Sequence, residues 1–233
     1  VFYKVASEIQ GVIDSEMEVP TEDVKQLIEL GFWPGGDRDG NPNVTAESTK
    51  KVAALLRTIL FRCYYRDFRI VKRRITFRGV EKYLDVLQHL FYENSFNPVE
   101  NPADETALIL ENLNAVKAVL MEHHNGLFVE LVEDLIRKVI TFGCYFTTLD
   151  IRQDSSILHQ TIDYLVRNNP QTAVDAEYLS LAEETKQAGI PFSELDLTVG
   201  GEAEPLVKDT VEVIQLLKSI QKSGSERAAQ RFI

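Results

Sequence analysis

The chain has 233 residues, with 25 Lys and Arg against 36 Asp and Glu for a net charge of −11, and it is 44% apolar and 26% charged. That length can bury roughly 70% of the surface an unfolded chain exposes, so neither wholesale disorder nor a need for disulfide or metal staples fits it. The excess of acid argues against generic binding to nucleic acid or to an anionic membrane, and no apolar run reaches the ~18 residues that would span a bilayer.

The dominant period is helical. Thr21, followed by Glu22 and Asp23, predicts a helix over 21–29, because a hydroxyl cap and early acids favour a helix N-terminus. Thr45 caps a long helix carrying Val52, Leu55, Leu56, Ile59, Leu60 and Cys63. Residues 79–92 predict another. In 105–122, Ile109, Leu113, Val116 and Leu120 fall on one face; in 127–140 apolar pairs recur every four residues, which predicts a helix buried on more than one side. His123-His124-Asn125-Gly126 separates these two into an antiparallel hairpin, with Gly126 suited to the helix end. Asp154 caps a helix over 155–167. Pro205 opens one over 205–222, with Leu206, Thr210, Ile214, Leu217 and Gln221 along one side. Residues 189–204, with two prolines and Gly200-Gly201, read as a loop.

Little reads as strand. Tyr145 to Ile151 is partly β-branched and aromatic, and alternation puts Phe146, Thr148, Asp150 and Arg152 on one side. Shorter extended pieces fall at Gly31–Pro34 and Arg231–Ile233. Cys63 and Cys144 lie far apart with no Cys-x-x-Cys, which fits a reducing compartment. The chain begins at Val1 and stops at Phe232-Ile233, so both ends look cut.

Charge is uneven. Residues 57–78 hold eight basic residues against Asp67 alone, a local +7 that leaves −18 for the remainder. Arg62, Arg66, Arg69 and Arg73 share a helical face among aromatics. One reading is an anion-binding surface of a helical binding module; the other pairs the arginines with acids of the same fold. His89, His123, His124 and His159 form no zinc spacing, and no phosphate-loop, dinucleotide or serine-elbow motif occurs.

Two short segments carry more chemistry. Gly35-Gly36-Asp37-Arg38-Asp39-Gly40 is denser in glycine and charge than a connector requires. It is not a calcium loop: with Asp37 first, Pro42 stands where glycine is needed and Ser48 where glutamate is needed. Glycines there let backbone approach an anion or another chain segment closely, and Arg38 would be held between Asp37 and Asp39. In Leu149-Asp150-Ile151-Arg152-Gln153, a strand end presents Arg152, with Asp150 on the same side as its orienting partner. Arginine there can make two parallel bonds to phosphate or carboxylate.

Gly31-Phe32-Trp33-Pro34-Gly35-Gly36-Asp37-Arg38-Asp39-Gly40-Asn41-Pro42-Asn43-Val44-Thr45 resembles a signature stretch of phosphoenolpyruvate carboxylases, and Leu149-Asp150-Ile151-Arg152-Gln153 resembles a second, in the same order and at a matching separation. The resemblance implies a mainly α chain, the helical segment of an incomplete (β/α)8 barrel with a few short strands. Residues 1–233 would be an internal fragment of one catalytic domain, with a helical insertion at about 45–142 between two barrel strands. It further implies a cytoplasmic, usually tetrameric enzyme that uses Mg²⁺ or Mn²⁺ to join bicarbonate to phosphoenolpyruvate, giving oxaloacetate and phosphate. Arg152 matches an arginine used at the substrate phosphate, and Trp33 a tryptophan beside the substrate. Asp37, Arg38 and Asp39 match a loop supporting the catalytic histidine, and Gly35, Gly36, Asp150 and Gln153 complete the expected site. The histidine motif Thr-Ala-His-Pro-Thr-Glu would precede residue 1 and the metal carboxylates would follow residue 233. The fragment is therefore expected to bind no metal and to be inactive alone.

Overall fold

A computed structural model describes residues 1–20, 23–41, 43–98, 100, 102–168, 199–200, 203–229 and 231–232. In chain order the elements are α1 (Phe2–Glu16), β1 (Gly31–Phe32), α2 (Ala46–Arg74), α3 (Glu81–Phe96), α4 (Thr106–His123), α5 (Val129–Phe142), β2 (Thr148–Ile151), α6 (Ser155–Asn168), α7 (Pro205–Gly224), a 3₁₀ turn (Glu226–Ala229) and β3 (Arg231–Phe232). The protein is mainly helical. Its three short strands form one parallel sheet in the order β1-β2-β3, with Gly31 opposite Thr148, Phe32 opposite Leu149, Asp150 opposite Arg231 and Ile151 opposite Phe232. Successive parallel strands are thus joined by helical crossovers, the first of them α2 to α5.

The long helix α2 starts where the sequence places it. The Thr45 hydroxyl accepts from Ser48 N at 3.3 Å and the Ser48 hydroxyl accepts from Thr45 N at 2.9 Å, a reciprocal cap. Its apolar stripe of Leu60, Phe61, Tyr64, Phe68 and Val71 is buried against Leu84, Leu87 and Phe91 of α3, Ile109, Leu113 and Leu120 of α4, and Val132, Leu135 and Val139 of α5. Rings of Phe61, Tyr64, Phe68 and Phe91 meet edge-on or tilted at 5.4–6.3 Å between centroids. A second, smaller core lies beneath the sheet and joins Leu149 and Ile151 of β2 to Ala46 and Val213, with Val52 and Leu217 at its edge.

Arg57 ties the two cores together. Its guanidinium donates to the carbonyls of Cys144 (3.3 Å), Ser223 (2.7 Å) and Ala103 (3.1 Å), to Asn94 Oδ1, and to Glu105 at 3.2 Å. Asp67, the lone acid of the basic stretch, is a second junction. It accepts from the Tyr3 hydroxyl at 2.9 Å, Lys138 Nζ at 2.8 Å and Arg66 Nε at 3.2 Å, so it joins α1, α2 and α5.

Several expectations are corrected. Residues 24–30 form no helix. Their backbone is bound by neighbours instead: Gln10 of α1 donates to Lys25 O and accepts from Leu27 N, and Thr148 N donates to Leu30 O at 2.7 Å. Helix α1, absent from the reading above, buries Tyr3, Ala6, Gln10 and Asp14 while Phe2, Val5, Ile9 and Val12 stay exposed, so its apolar period points away from the packed face. The strand is shorter than 145–151, because Phe146 takes a left-handed φ of 72° and breaks the extension before Thr148. Along α7 the buried residues are Val207, Thr210, Val211, Val213 and Ile214, a stripe rotated from the expected one, with Leu206 exposed. Most of the loop expected at 189–204 lies outside the described residues. Helix α6 begins as expected, with Asp154 accepting from Ser156 N at 2.7 Å; hydrogen bonding from the Ser156 side chain, and then from its backbone, lowers the carboxyl pKa.

Burial pushes the Cys144 thiol up to about 11 from its usual 9, and burial raises the Tyr64 phenol as well. Both groups hold their protons longer in the folded chain than in the unfolded one, so stability is intact below pH 9 and falls as pH rises through 11. Urea unfolding followed from pH 8 to 11 is expected to show this loss, with Cys144 contributing on the order of 2 kcal/mol at pH 11. Cys144→Ala is expected to remove that share of the slope; an unchanged slope would count against it.

Candidate active site

The glycine-rich loop and the end of β2 are one piece of backbone architecture. β1 pairs with β2 as far as Phe32. The loop then turns at Trp33, whose carbonyl accepts from both Gly36 N (2.9 Å) and Asp37 N (3.0 Å), and it rejoins β2 with Asp37 opposite Arg152. At the rejoining, Arg152 N donates to Gly36 O and Arg38 N to Arg152 O, both at 2.9 Å. Between the two pairings the loop side carries two more residues than β2, and the glycines make that excess possible. Gly35 has φ 81° and faces Val52, and Thr49 of α2 donates to its carbonyl at 2.6 Å. A Cβ on Gly36 would lie 2.1 Å from the carbonyl oxygen of Asp150. The close approach here is therefore to another strand's backbone.

This backbone pairing sends neighbouring side chains to different places. Arg38 turns inward and is buried. Its Nε donates to Gln153 Oε1 at 2.7 Å, one terminal nitrogen donates to Val44 O at 3.2 Å, and the other pairs with Asp209 of α7. Arg38 is thus held by Asp209 and Gln153, and not by its sequence neighbours Asp37 and Asp39. Asp39 is exposed on the turn. Asp209 also accepts from Ala46 N at 3.1 Å, so one carboxylate fastens the buried arginine and the N-terminus of α2, where a negative charge is favourable. The sequence gives no signal for Asp209: it is one acid on an amphipathic helix, 171 residues from its partner.

Arg152 points the other way. Nearly half of its side chain is exposed, and one terminal nitrogen lies 3.4 Å from Asp37 Oδ2. The carboxylate that meets it is therefore Asp37 across the loop, in place of the expected Asp150 two residues back. Asp37 Oδ1 is buried and has no hydrogen-bond partner among the described residues. Gln153 is buried beside Arg38, and Trp33 is exposed at the turn. Arg152, Asp37, Arg38, Gln153, Gly35, Gly36 and Asp150 are brought together at the carboxyl end of β2, which is where parallel strands gather their sites.

Among the described residues, no three His, Cys, Asp or Glu side chains stand close enough to hold a metal ion. The divalent metal implied by the resemblance finds no fitting ligand set there. The arginine face of α2 is partly engaged within the chain and stays exposed: Arg62 donates to Ser95 O and lies over Phe96, Arg66 pairs with Asp67 and lies over Tyr3, and Arg73 donates to the backbone carbonyl of Arg69. No helix of the described residues is long and apolar enough to cross a membrane.

A mainly helical chain whose short parallel strands gather charged groups at one strand end defines the general class. Comparison with known proteins gives the particular family. The phosphoenolpyruvate carboxylase family profile matches residues 2–95 and 80–233, nearly the whole chain, and the chain belongs to that family. It is 31% identical over 172 residues to a phosphoenolpyruvate carboxylase of Pseudomonas syringae pv. syringae, covering 59% of this chain and 19% of the relative. Against the enzyme of the same name from Marinobacter nauticus it is 28% identical over 192 residues, 69% of this chain and 21% of the relative. The chain thus spans about a fifth of the length of the curated relatives it matches.

Two substitutions test the junction. Gly36→Ala is expected to cost about 1–3 kcal/mol, since the added methyl meets backbone that cannot swing aside; urea denaturation measures it. Asp209→Ala is expected to cost about 3 kcal/mol by leaving the Arg38 guanidinium buried without a counter-charge. The double variant Arg38→Leu with Asp209→Leu should recover part of that loss. A double variant no more stable than Asp209→Ala would refute the buried-charge account.

Proposed function

We propose that this chain is a segment of a phosphoenolpyruvate carboxylase, an internal part of one catalytic (β/α)8 domain in which residues 45–142 form a helical insertion between two barrel strands. Three parallel strands that follow one another in both sequence and space support the barrel reading. In the whole enzyme, bicarbonate would attack the phosphate of phosphoenolpyruvate, giving carboxyphosphate and the enolate of pyruvate; carboxyphosphate would then release inorganic phosphate and CO₂, and attack of the enolate carbon on that CO₂ would give oxaloacetate. The whole enzyme would be a cytoplasmic homotetramer. Its Mg²⁺ or Mn²⁺ and its catalytic histidine would lie with residues outside this chain.

One observation carries the reading. Arg152 stands at the carboxyl end of the central strand, oriented by Asp37 yet with nearly half its side chain exposed. A guanidinium so placed can accept a phosphate while keeping one carboxylate contact, and it cannot lose its charge. Arg38, Gln153 and Asp209 would hold the loop and strand end in register, Asp37 and Asp150 would set the local field, and Asp39 and Trp33 would face the substrate side. Gly35 and Gly36 would let the loop lie against β2. Fixed positive charge aimed at the transferring phosphoryl group stabilises the charge that develops in the transition state.

Two charge-assisted bonds from Arg152, at about 1.5–3 kcal/mol each, correspond to roughly 10²–10⁴ in rate. Arg152→Ala in the full-length enzyme is expected to lose about that factor, mostly in turnover, measured by coupling oxaloacetate to its reduction. Turnover within a few-fold of the parent would sink the assignment. The 233-residue chain assayed alone with Mg²⁺ and bicarbonate is expected to form no oxaloacetate above background.

A further inference from the structure

Along its solvent side α2 carries one continuous ridge. Leu55, Ile59, Arg62, Arg66, Arg69 and Arg73 follow one another at steps of three or four residues, which places them in a row, and all six are exposed. From Arg62 to Arg73 the row runs about 16 Å, at 1.5 Å per residue.

The acids of α2 and α3 leave this charge largely uncompensated. Asp67 holds Tyr3 and Lys138 as well as Arg66, Asp85 pairs with Lys72 at 3.0 Å, and Glu93 accepts from Asn97 at 3.0 Å. Arg62, Arg69 and Arg73 meet no carboxylate among the described residues; Arg62 and Arg73 donate to main-chain carbonyls, those of Ser95 and Arg69. The ridge also has an apolar border. Leu55 and Phe96 are at least half exposed, and Ile59 and Tyr92 are exposed beside them. Tyr65, Tyr92 and Phe96 pack ring against ring at 5.0–5.9 Å between centroids. A solvated charged face needs no such border. Arginine beside exposed aromatic and aliphatic side chains is the composition of a protein–protein contact.

We propose that the α2 ridge and the Tyr92–Phe96 end of α3 form a docking surface for an acidic polypeptide segment that carries aromatic side chains. Its carboxylates meet Arg62, Arg69 and Arg73, and its rings pack on Leu55, Ile59 and Phe96. Charge complementarity sets the sign of the partner. A nucleic acid fits less well. The remainder of the chain, at −18, repels a polyanion longer than the ridge. The three rings lean on one another, two of the contacts edge to face, and the Arg62 guanidinium lies over Phe96, so no flat ring is left on which bases could stack. The inference does not depend on the carboxylase reading, since binding is measured on this chain without turnover.

The probe is a fluorophore-labelled random copolymer of glutamate and tyrosine, with polyglutamate and poly(U) of similar charge for comparison. Anisotropy titration of the 233-residue chain at about 50 mM salt is expected to show saturable binding of the copolymer, about fivefold tighter than either comparison polymer and about tenfold weaker at 300 mM salt. Reversing Arg62, Arg69 and Arg73 together to Glu is expected to weaken the copolymer about tenfold or more. Reversing Lys25, Lys218 and Lys222, exposed positions off the ridge, makes the same change in net charge and is expected to leave binding within about twofold. Leu55→Ser with Phe96→Ser should bring the copolymer and polyglutamate to near-equal affinity. Every substituted side chain is exposed, so each variant is expected to melt within a few degrees of the parent. No saturable binding, or equal weakening by the two charge reversals, overturns the surface. Poly(U) binding as tightly as the copolymer overturns the polypeptide partner, and a copolymer preference that persists in Leu55→Ser with Phe96→Ser overturns the apolar contact.

Discussion

The constraint on which the site depends is the contact between the backbone at Gly36 and the backbone of β2. The peptide of Gly36 accepts from Arg152 N, that of Arg152 accepts from Arg38 N, and no side-chain atom fits between the two segments. Once these bonds form, successive loop residues have no choice of direction. Asp37 is carried towards the exposed guanidinium of Arg152, and Arg38 is carried into the interior, where Gln153 and Asp209 receive it. The same loop holds the start of α2, through Gly35 O to Thr49 and through Asp209 to Ala46 N. The charge geometry at the strand end thus follows from main-chain hydrogen bonds, which are less easily rearranged than contacts between long side chains.

The helical layer supports this junction through a few polar ties across a large apolar core. Arg57 is the main one. It leaves α2 from the region where the two cores meet and binds carbonyls that follow α5, end α7 and precede α4. Those carbonyls sit at chain turns, where no helical or sheet partner exists for them. Asp67 plays the corresponding part at the far side, collecting Tyr3, Arg66 and Lys138. The basic stretch that stands out in the sequence is consequently an internal fastening as much as a surface.

Much of this was legible in the sequence. The helices with sustained period, α2 to α7, appear where apolar spacing and caps put them, because each buries a stripe against neighbours of the same kind. Both charged segments of the site were visible as unusual local composition. Their internal partnerships were not. Asp37 and Arg38 are adjacent in sequence but diverge in space, and Asp209 reaches them from a helix that carries no distinguishing motif. Helix α1 escaped because its buried face joins Tyr3 and Ala6 to the polar Gln10 and Asp14 while Phe2, Val5, Ile9 and Val12 remain outside, so periodicity gives the wrong face. The segment 24–30 follows the acids Glu22 and Asp23, which suit a helix start, yet its backbone is claimed by Gln10 and by β2. Tertiary partners decided both cases, and those partners lie up to 201 residues away.

The two faces of β2 serve different neighbours. Asp150 and Arg152 alternate with Leu149 and Ile151, and the latter pair is buried in the core beneath the sheet. A strand has a side-chain period of two, so one inserted or deleted residue between Gly143 and Gln153 would exchange those faces completely. The guanidinium would be driven into an apolar layer and an isoleucine would be left at the strand end. Length changes over evolutionary time are accordingly expected to accumulate in the connections among α3, α4 and α5, while this eleven-residue stretch drifts in composition and keeps its length.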